Sequence, residues 1–192
     1  KSRNSKYRQA IPAKFFLKYN TQFKENGICF YSFSFREIKV IKFLIYNYLE
    51  NANISVITNT GFEEAKKISP NVRYLPFEIF LPFWVNKQKV LVVMEAELWY
   101  LLFLFAKKKG AKTLLINARI SDKSYKSYKR FSFFYKRIFQ NIDKVFAQSE
   151  VDKHRLEELG ASNVEVIGNI KLAQLPKVNV KLEKPKQVVI TA

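Results

Sequence analysis

The apolar and polar positions of this chain follow two alternating periods. Short apolar runs of strand length, such as residues 90–94, alternate with stretches in which apolar residues recur every three or four positions, such as residues 37–50. The first pattern predicts buried strands and the second predicts amphipathic helices. The predicted strands are residues 28–35, 54–58, 72–76, 90–94, 113–116, 144–147 and 164–167. The predicted helices are residues 13–16, 37–50, 62–68, 98–108, 125–139 and 150–159.

This order of elements predicts an α/β fold. Strands that alternate with helices form a Rossmann-like parallel sheet with helices on both faces. Between the third and fourth predicted strands, the segment FEIFLPFW (77–84) is predicted to be an aromatic loop or turn. In parallel sheets ligands bind beyond the carboxyl ends of the strands, so we expect the functional site at that edge.

Polar residues follow nearly every predicted strand at this edge. Glu95 and Glu97 come directly after the buried run 90–94, where a carboxylate is costly to bury unless another group pairs with it. Polar residues also cap helices and form turns, as we expect of Ser149 before the helix at 150–159, so a structural explanation stays open for each of them. The candidates at the edge are Ser34, Arg36, Glu37, Thr58, Thr60, Gly61, Glu95, Glu97, Asn117, Arg119, Gln148, Ser149, Asn169 and Lys171.

The net charge of the chain indicates which kinds of partner it is expected to bind. The 192 residues carry a net charge of +18, which predicts a polyanionic partner: nucleic acid, a phosphorylated substrate or an anionic membrane. No apolar run approaches the ~18 residues of a membrane-spanning helix. The first residue is not Met and no signal peptide follows, so we expect the chain to be a piece of a longer protein.

The acid–base groups that the sequence offers are carboxylates. It has no glycine-rich dinucleotide fingerprint and no P-loop, which argues against a dehydrogenase or a P-loop NTPase. Its one histidine, His154, lies in a polar helix where we expect it to be solvated, and its one cysteine, Cys29, is distant in sequence. A zinc site needs more ligands than these two, so none is expected.

Five segments, in order, resemble the 3-deoxy-D-manno-octulosonic acid (Kdo) transferases. MEAELWY (94–100) is similar to their Glu-Thr-Glu-Leu-Trp-Pro segment, and INARIS (116–121) is similar to their Asn-Ala-Arg-Leu-Ser segment. The agreement in order and spacing extends from about residue 6 to residue 191. The other three segments are FYSFSFREI (30–38), YLPFE (74–78) and AQSEVDKHRLEELGASNVEVIGNIK (147–171).

The resemblance implies the N-terminal half of a GT-B glycosyltransferase, which has two Rossmann-like domains. Residues 1–171 would form the acceptor-binding domain, residues 172–186 the interdomain linker and residues 187–192 the first strand of the nucleotide-sugar domain. The implied reaction transfers Kdo from CMP-Kdo to the lipid A precursor (lipid IVA) in lipopolysaccharide biosynthesis, with inversion and without a metal or cofactor. This fragment alone is expected to be inactive.

The resemblance also implies a location and partners. The family acts at the cytoplasmic face of the inner membrane, to which a preceding segment anchors it. The implied partners are therefore CMP-Kdo, the lipid A precursor and the anionic membrane surface, and no nucleic acid is expected.

Three catalytic roles follow from the same resemblance. Glu37 falls on the family's general base, which would take a proton from the acceptor hydroxyl. Glu95 falls on the glutamate that stabilises the transition state, and Lys171 on the lysine that faces the donor phosphate. Several positions depart from the family. Tyr31 replaces a His, and Arg36 replaces a Gly, where it would pair with Glu37 or bind an acceptor phosphate. Tyr100 replaces a Pro, Ala173 replaces an Asp, and the loop at 58–61 is shorter and lacks a proline.

Two other functions stay open from the residues alone. A non-catalytic basic α/β module that binds nucleic acid or an anionic membrane fits the charge, because residues 123–137 interleave cations with aromatics. A GT-B glycosyltransferase with another acceptor is the second alternative. The ordered polar residues at the predicted sheet edge favour an enzyme over the binding module.

Overall fold

One parallel sheet organises the residues that this computed structural model describes, which are 10–16, 20–32, 35–48, 52–95 and 98–170. Within those residues the strands are β1 Ile28–Ser32, β2 Asn53–Val56, β3 Val72–Tyr74, β4 Val90–Met94, β5 Lys112–Ala118, β6 Lys144–Ala147 and β7 Val164–Val166. Neighbouring strands are hydrogen-bonded in the order β3-β2-β1-β4-β5-β6-β7, and each of these pairs is parallel. The predicted parallel sheet is confirmed.

Strand β4 lies in the middle of the sheet and is buried on both faces. Leu91 and Val93 belong to the apolar core on one face, whereas Val92 and Met94 belong to the core on the other. Successive side chains of a strand point to opposite faces, so a strand that is covered on both sides needs apolar residues at every position. This burial explains why residues 90–94 are continuously apolar.

Helices cover both faces of the sheet, as predicted. The described helices are α1 Ala10–Phe16, α2 Phe35–Tyr48, α3 Asn59–Lys66, α4 Leu81–Trp84, α5 Tyr100–Lys108, α6 Asp122–Arg130, α7 Ser132–Phe139 and α8 Glu150–Glu158. Helices α1, α2 and α3 bury apolar residues in one core, and α4, α5, α7 and α8 in the other. None of the helices in the described ranges combines the length and the apolar character that crossing a membrane requires.

The prediction of one long helix over residues 125–139 is wrong. The backbone leaves the helical conformation at Phe131, which separates α6 from α7. The rings of Tyr128 and Tyr135 stack with centroids 4.2 Å apart, whereas residues seven apart in a straight helix are separated by about 10.5 Å along its axis. The turn lets α7 bury Ile138 and Phe139 in the core, while α6 buries no residue fully.

The prediction of a loop or turn over residues 77–84 is also wrong. A 3₁₀ helix, Glu78–Phe80, leads directly into α4. Leu81 and Trp84 are three residues apart, so one helical turn buries both against the sheet. Pro82 lies in the first turn of α4, where the missing N–H of proline removes no intrahelical hydrogen bond.

The strand order reverses its direction beside β1. The chain passes from β1 to β2 and β3 on one side, and then returns to build β4 to β7 on the other side. The carboxyl ends of β1 and β4 therefore flank the switch point of the sheet. Open α/β sheets bind ligands in the crevice that forms at such a point.

Candidate functional site

The two predicted catalytic glutamates of the described chain follow the two strands at the switch point. Glu37 lies in the first turn of α2, directly after β1, and Glu95 directly follows β4. The register pairs Tyr31 with Val93, so β1 and β4 end at the same level of the sheet. The fold thus places Glu37 and Glu95 at the carboxyl edge of the sheet, after the two strands that flank the switch point.

Glu37 is a buried carboxylate, with only 5% of its surface exposed. The hydroxyl of Ser32, the last residue of β1, donates a hydrogen bond to Glu37 Oε2 over 3.1 Å. The positive end of the α2 dipole also favours a negative charge in the first turn. The side chain of the neighbouring Arg36 is exposed to solvent, whereas that of Glu37 is buried.

Glu95 ends β4 through an unusual backbone conformation. Its φ is +56°, in the left-handed region that residues other than glycine rarely adopt. Its backbone N–H still donates to the carbonyl of Ile116 over 2.9 Å, which extends the ladder between β4 and β5 by one hydrogen bond. The half-buried side chain therefore leaves the sheet at the position where regular strand geometry stops.

Asn117 lies inside β5, whereas the sequence analysis placed it after the strand. Its φ is +55°, and the register between β5 and β6 shifts between Leu115 and Ala118, which marks a β-bulge. The side chain is fully buried, its Oδ1 accepts from the backbone N–H of Ile170 over 3.2 Å, and its Nδ2 has no hydrogen-bond partner in the described residues. Bulges often occur beside active sites, where they redirect a side chain.

The contact between Asn117 and Ile170 brings the last described segment to the same edge. Gly168, with φ of +79°, and the half-buried Asn169 follow β7 and lead to Ile170. Because Asn117 holds the backbone of Ile170, the residue just before Lys171 is fixed beside β5. Lys171 itself lies outside the described residues, as do Ser34 and Glu97.

Ser149 caps α8, as predicted. Its Oγ accepts from the backbone N–H of Asp152 over 3.1 Å and donates to Asp152 Oδ2 over 2.6 Å. The other oxygen of this buried carboxylate accepts from the N–H of Ile120 over 2.9 Å. These bonds fix the loop after β5 to the start of α8, and a substrate-binding role for Ser149 stays a prediction.

Gln148 and Arg119 lie beside this cap. The side-chain amide of Gln148 donates to the carbonyl of Asn117 over 3.0 Å, so it supports the bulge. Arg119 is exposed and remains available to a ligand. Ser32 was not among the predicted site residues, and its only signal in the sequence was a small polar residue at the end of β1.

Thr58, Thr60 and Gly61 form the start of α3, which begins at Asn59 and not at residue 62 as predicted. Thr58 is the N-cap, because its hydroxyl accepts from the N–H of Gly61 over 3.1 Å. Gly61 is buried within the first turn, whereas Thr60 is exposed. The capping bond is a structural role for Thr58, and contact with a substrate stays a prediction for these residues.

The chemistry available in the described crevice is that of carboxylates and amides. Cys29 is buried in β1, and burial raises the pKa of its thiol to about 12, so it is not a nucleophile at neutral pH. Within the described ranges, His, Cys, Asp and Glu side chains form no group of three that could hold a metal ion. Glu37 and Glu95 are therefore the described groups that we consider for acid–base and charge-stabilising roles.

Comparison with known proteins decides the family. The sequence profile of the family described as 3-Deoxy-D-manno-octulosonic-acid transferase (kdotransferase) matches residues 8–174, which is most of the chain. The chain belongs to this family. The resemblance predicted from the five sequence segments is thereby confirmed.

Individual relatives show how far the similarity extends. A 3-deoxy-D-manno-octulosonic acid transferase of Rickettsia bellii is 34% identical over 161 residues, which cover 79% of this chain and 38% of that protein. A bifunctional glycosyltransferase/methyltransferase of Fusobacterium nucleatum is 38% identical over 135 residues, which cover 65% of this chain and 21% of that protein. A 3-deoxy-D-manno-octulosonic acid transferase of Chlamydia pneumoniae is 28% identical over 195 residues, which cover 93% of this chain and 45% of that protein. The chain spans less than half the length of these relatives.

Proposed function

We propose that this chain is the acceptor-binding half of a GT-B Kdo transferase, which moves Kdo from CMP-Kdo to the lipid A precursor, lipid IVA. The observation that carries the proposal is the placement of two carboxylates, Glu37 and Glu95, after the two strands that flank the switch point. Membership of the Kdo transferase family supports the choice of reaction.

Glu37 is the general base in this proposal. A sugar hydroxyl is a poor nucleophile, and a carboxylate within hydrogen-bond distance can accept its proton as the hydroxyl attacks the anomeric carbon. The bond from Ser32 holds the carboxylate of Glu37 in one orientation. The proposed displacement is inverting and metal-independent, as the resemblance to the Kdo transferases implies. Glu95, across the switch point, stabilises the positive charge that develops on the sugar ring.

Lys171 and the remaining edge residues complete the proposed site. Lys171 follows Ile170, whose backbone is bonded to Asn117, and its cation would balance the charge of the leaving nucleotide phosphate. The other edge residues would contact the acceptor sugars and phosphates. They are Arg36, Thr58, Thr60, Gly61, Asn117, Arg119, Gln148, Ser149 and Asn169 of the described chain, with Ser34 and Glu97.

The anionic cytoplasmic surface of the inner membrane is the proposed location, and α6 and α7 are the proposed contact. Phe131, Phe133 and Phe134 are exposed at the junction of these helices, and Phe133 exposes 67% of its surface. Exposed cations lie on the same two helices: Lys123, Lys126, Lys129, Arg130, Lys136 and Arg137. Aromatic rings at the acyl boundary with cations at the headgroups are typical of interfacial helices.

The test of the catalytic proposal is a carboxamide scan in a transferase that contains this chain together with a nucleotide-sugar half. Glu37→Gln should reduce turnover of CMP-Kdo with lipid IVA by ~10²–10⁴-fold, the usual contribution of a general base. Glu157→Gln, at an exposed position of α8, is the matched control and should keep parental turnover. Near-parental turnover of the Glu37→Gln enzyme would remove Glu37 from this role.

Variants of the same transferase distinguish the roles of the two glutamates of the MEAELWY segment. Glu95→Ala and Lys171→Ala should lower mainly kcat, because their contacts strengthen in the transition state. Glu97→Ala should be milder. If Glu97→Ala proves the more damaging change, the roles of Glu95 and Glu97 are reversed.

The exposed aromatic and basic surface of α6 and α7 also favours a second candidate function, non-catalytic binding of an anionic membrane. A binding module of this kind would need no catalytic carboxylate. Vesicle binding with no transfer by the complete protein would support it, whereas turnover that depends on Glu37 would exclude it. Transfer of Kdo to an acceptor other than lipid IVA would point to the remaining alternative, a GT-B glycosyltransferase with another acceptor.

A further inference from the structure

A small apolar pocket opens beside the candidate site. It is lined by residues that follow three strands at the carboxyl edge: Ile57 after β2, Leu75, Pro76 and Phe77 after β3, and Trp99 after β4. Lys14 of α1 completes the lining, and the pocket is open to solvent with a cavity volume of about 50 Å³. The ring of Trp99 also meets that of the buried Tyr31 edge-on, with centroids 6.2 Å apart, so the pocket wall adjoins the end of β1.

The rim of this pocket is apolar as well. Phe15 and Phe77 expose 43% and 44% of their surfaces, and their rings lie 4.3 Å apart. The backbone N–H of Phe77 donates to the carbonyl of Lys14 over 3.2 Å, which fixes α1 against the loop after β3. Exposed apolar side chains that cluster around a pocket are typical of a binding site for an apolar ligand.

Lys14 is the charged group of the pocket lining. It makes no ion pair with an acid in the described residues, and its amine lies 6.0 Å from the centre of the Tyr74 ring. Burial lowers the pKa of this amine, since a half-buried cation has lost part of its hydration. An anionic group on the ligand would restore a partner to the ammonium.

The lining decides between a sugar and a hydrocarbon. A pyranose ring carries hydroxyls around its edge, and each buried hydroxyl needs a hydrogen-bond partner. The described lining supplies the Lys14 amine and otherwise aliphatic and aromatic side chains. A hydrocarbon chain satisfies these walls without any polar partner.

We propose that this pocket binds one acyl chain of the lipid acceptor, while Lys14 pairs with an anionic group of the same lipid. The inference rests on the proposed function, because the acceptor of that reaction is a phosphorylated lipid. The pocket lies on the β2–β3 side of the switch point, next to Trp99, so the chain would hold the lipid with its sugars towards Glu37 and Glu95. The site thereby selects acceptors by their apolar part as well as by their sugars.

The test measures binding to the 192-residue chain through its tryptophans, without any transfer reaction. Octyl phosphate is the probe, and the comparison of the parent chain with Trp99→Phe isolates the signal of Trp99 from that of the buried Trp84. We expect a saturable, Trp99-dependent change in fluorescence. Affinity should rise about fourfold for each methylene added to the alkyl phosphate until the pocket is filled.

Two comparison ligands separate the chain from the charge. Octyltrimethylammonium has the same chain with a cation and should bind at least about tenfold more weakly, because it meets Lys14 with a like charge. Inorganic phosphate alone should give no saturable change. The absence of a Trp99-dependent signal with octyl phosphate would contradict the proposal that the pocket binds an alkyl chain. Equal affinity for both octyl ligands would contradict the proposal that Lys14 pairs with the anionic group.

Substitutions provide the second line of the test. Ile57→Phe should fill the pocket and abolish binding, whereas Val151→Phe adds similar bulk on the exposed face of α8 and should change nothing. Lys14→Met should remove the preference for phosphate over ammonium but keep the dependence on chain length. Circular dichroism and the unfolding temperature establish that each variant is folded.

The outcomes of these binding experiments do not depend on whether the transferase proposal is correct. Failure of octyl phosphate to bind would leave the transferase proposal standing. Conversely, an inactive Glu95→Ala transferase that still binds octyl phosphate would leave the pocket standing.

Discussion

The hydroxyl of Ser32 donates to the carboxylate of Glu37 over 3.1 Å, and both side chains are buried. Ser32 is the last residue of β1, and Glu37 lies in the first turn of α2. One hydrogen bond therefore connects the end of a central strand to the start of the helix that follows it. The same bond orients the group that we propose as the general base.

Removal of the Ser32 hydroxyl should cost both stability and turnover. Ser32→Ala should lower the free energy of unfolding by about 1–3 kcal/mol, because a buried carboxylate loses a donor. Urea denaturation of Ser32→Ala, Glu37→Leu and the double variant checks the coupling between the two residues, because leucine cannot accept the hydrogen bond. If Ser32→Ala costs as much in the Glu37→Leu background as in the parent chain, the two side chains do not interact.

The stability of the amino edge of the sheet, where β5 and β6 begin, should depend on the ionisation of Asp143. Burial alone would raise the pKa of this carboxyl, but hydrogen bonds from the backbone and hydroxyl of Thr113 and the contact with Lys107 hold it below its usual value of 3.8. The charged form is thus favoured in the folded state. Its contribution is fully present above the usual pKa and is lost as the pH falls through the lower folded value.

Asp143→Asn should therefore destabilise the chain by about 1 kcal/mol at neutral pH, a modest figure because the side chain is partly exposed. The difference between variant and parent should shrink as the pH falls below 3.8. Glu165→Gln, which breaks the exposed pair with Lys144, is the control and should cost less. A difference that stays constant down to the lowest accessible pH would contradict the assignment. Urea denaturation over a pH series provides the measurement.

Charge reversal on α6 should weaken binding to anionic vesicles. Each cation near an anionic surface contributes about 1 kcal/mol, so reversal of Lys126, Lys129 and Arg130 to Glu should reduce affinity by roughly a hundredfold or more. The matched control reverses Lys181, Lys184 and Lys186. Co-sedimentation with anionic and zwitterionic vesicles at several salt concentrations measures the effect, because salt screens charge but not aromatic insertion. Equal losses from both triple variants would mean that total charge alone matters.

The sequence predicts some element bounds and misses others. The bounds of β4 match the prediction, because a run buried on both faces is apolar throughout and ends where polar residues begin. The prediction that β1 extends to residue 35 is wrong, because the strand ends at Ser32 and Phe35 begins α2. The helix at 125–139 was predicted as one element since its aromatics keep a helical spacing across Phe131. The break depends on how α7 packs on the sheet, which no local pattern contains.

The candidate site shows the same division. Its edge, and the position of Glu37 and Glu95 at strand ends, follow from the alternation of elements. The bond from Ser32 to Glu37 and the bond from Ile170 to Asn117 do not, because each joins residues that the tertiary fold brings together. The bond from the Ile120 N–H to Asp152 does not follow either, because Ile120 precedes Asp152 by 32 residues.

The left-handed backbone conformation of Glu95 lowers the stability of the fold, whereas its carboxylate has a proposed role in catalysis. A non-glycine residue in this conformation costs about 1–2 kcal/mol, which glycine would not incur. Selection for thermal resistance alone would thus favour Glu95→Gly, a change that also deletes a carboxylate from the crevice. A strained glutamate at this position is what we expect where function, and not folding, decides the residue.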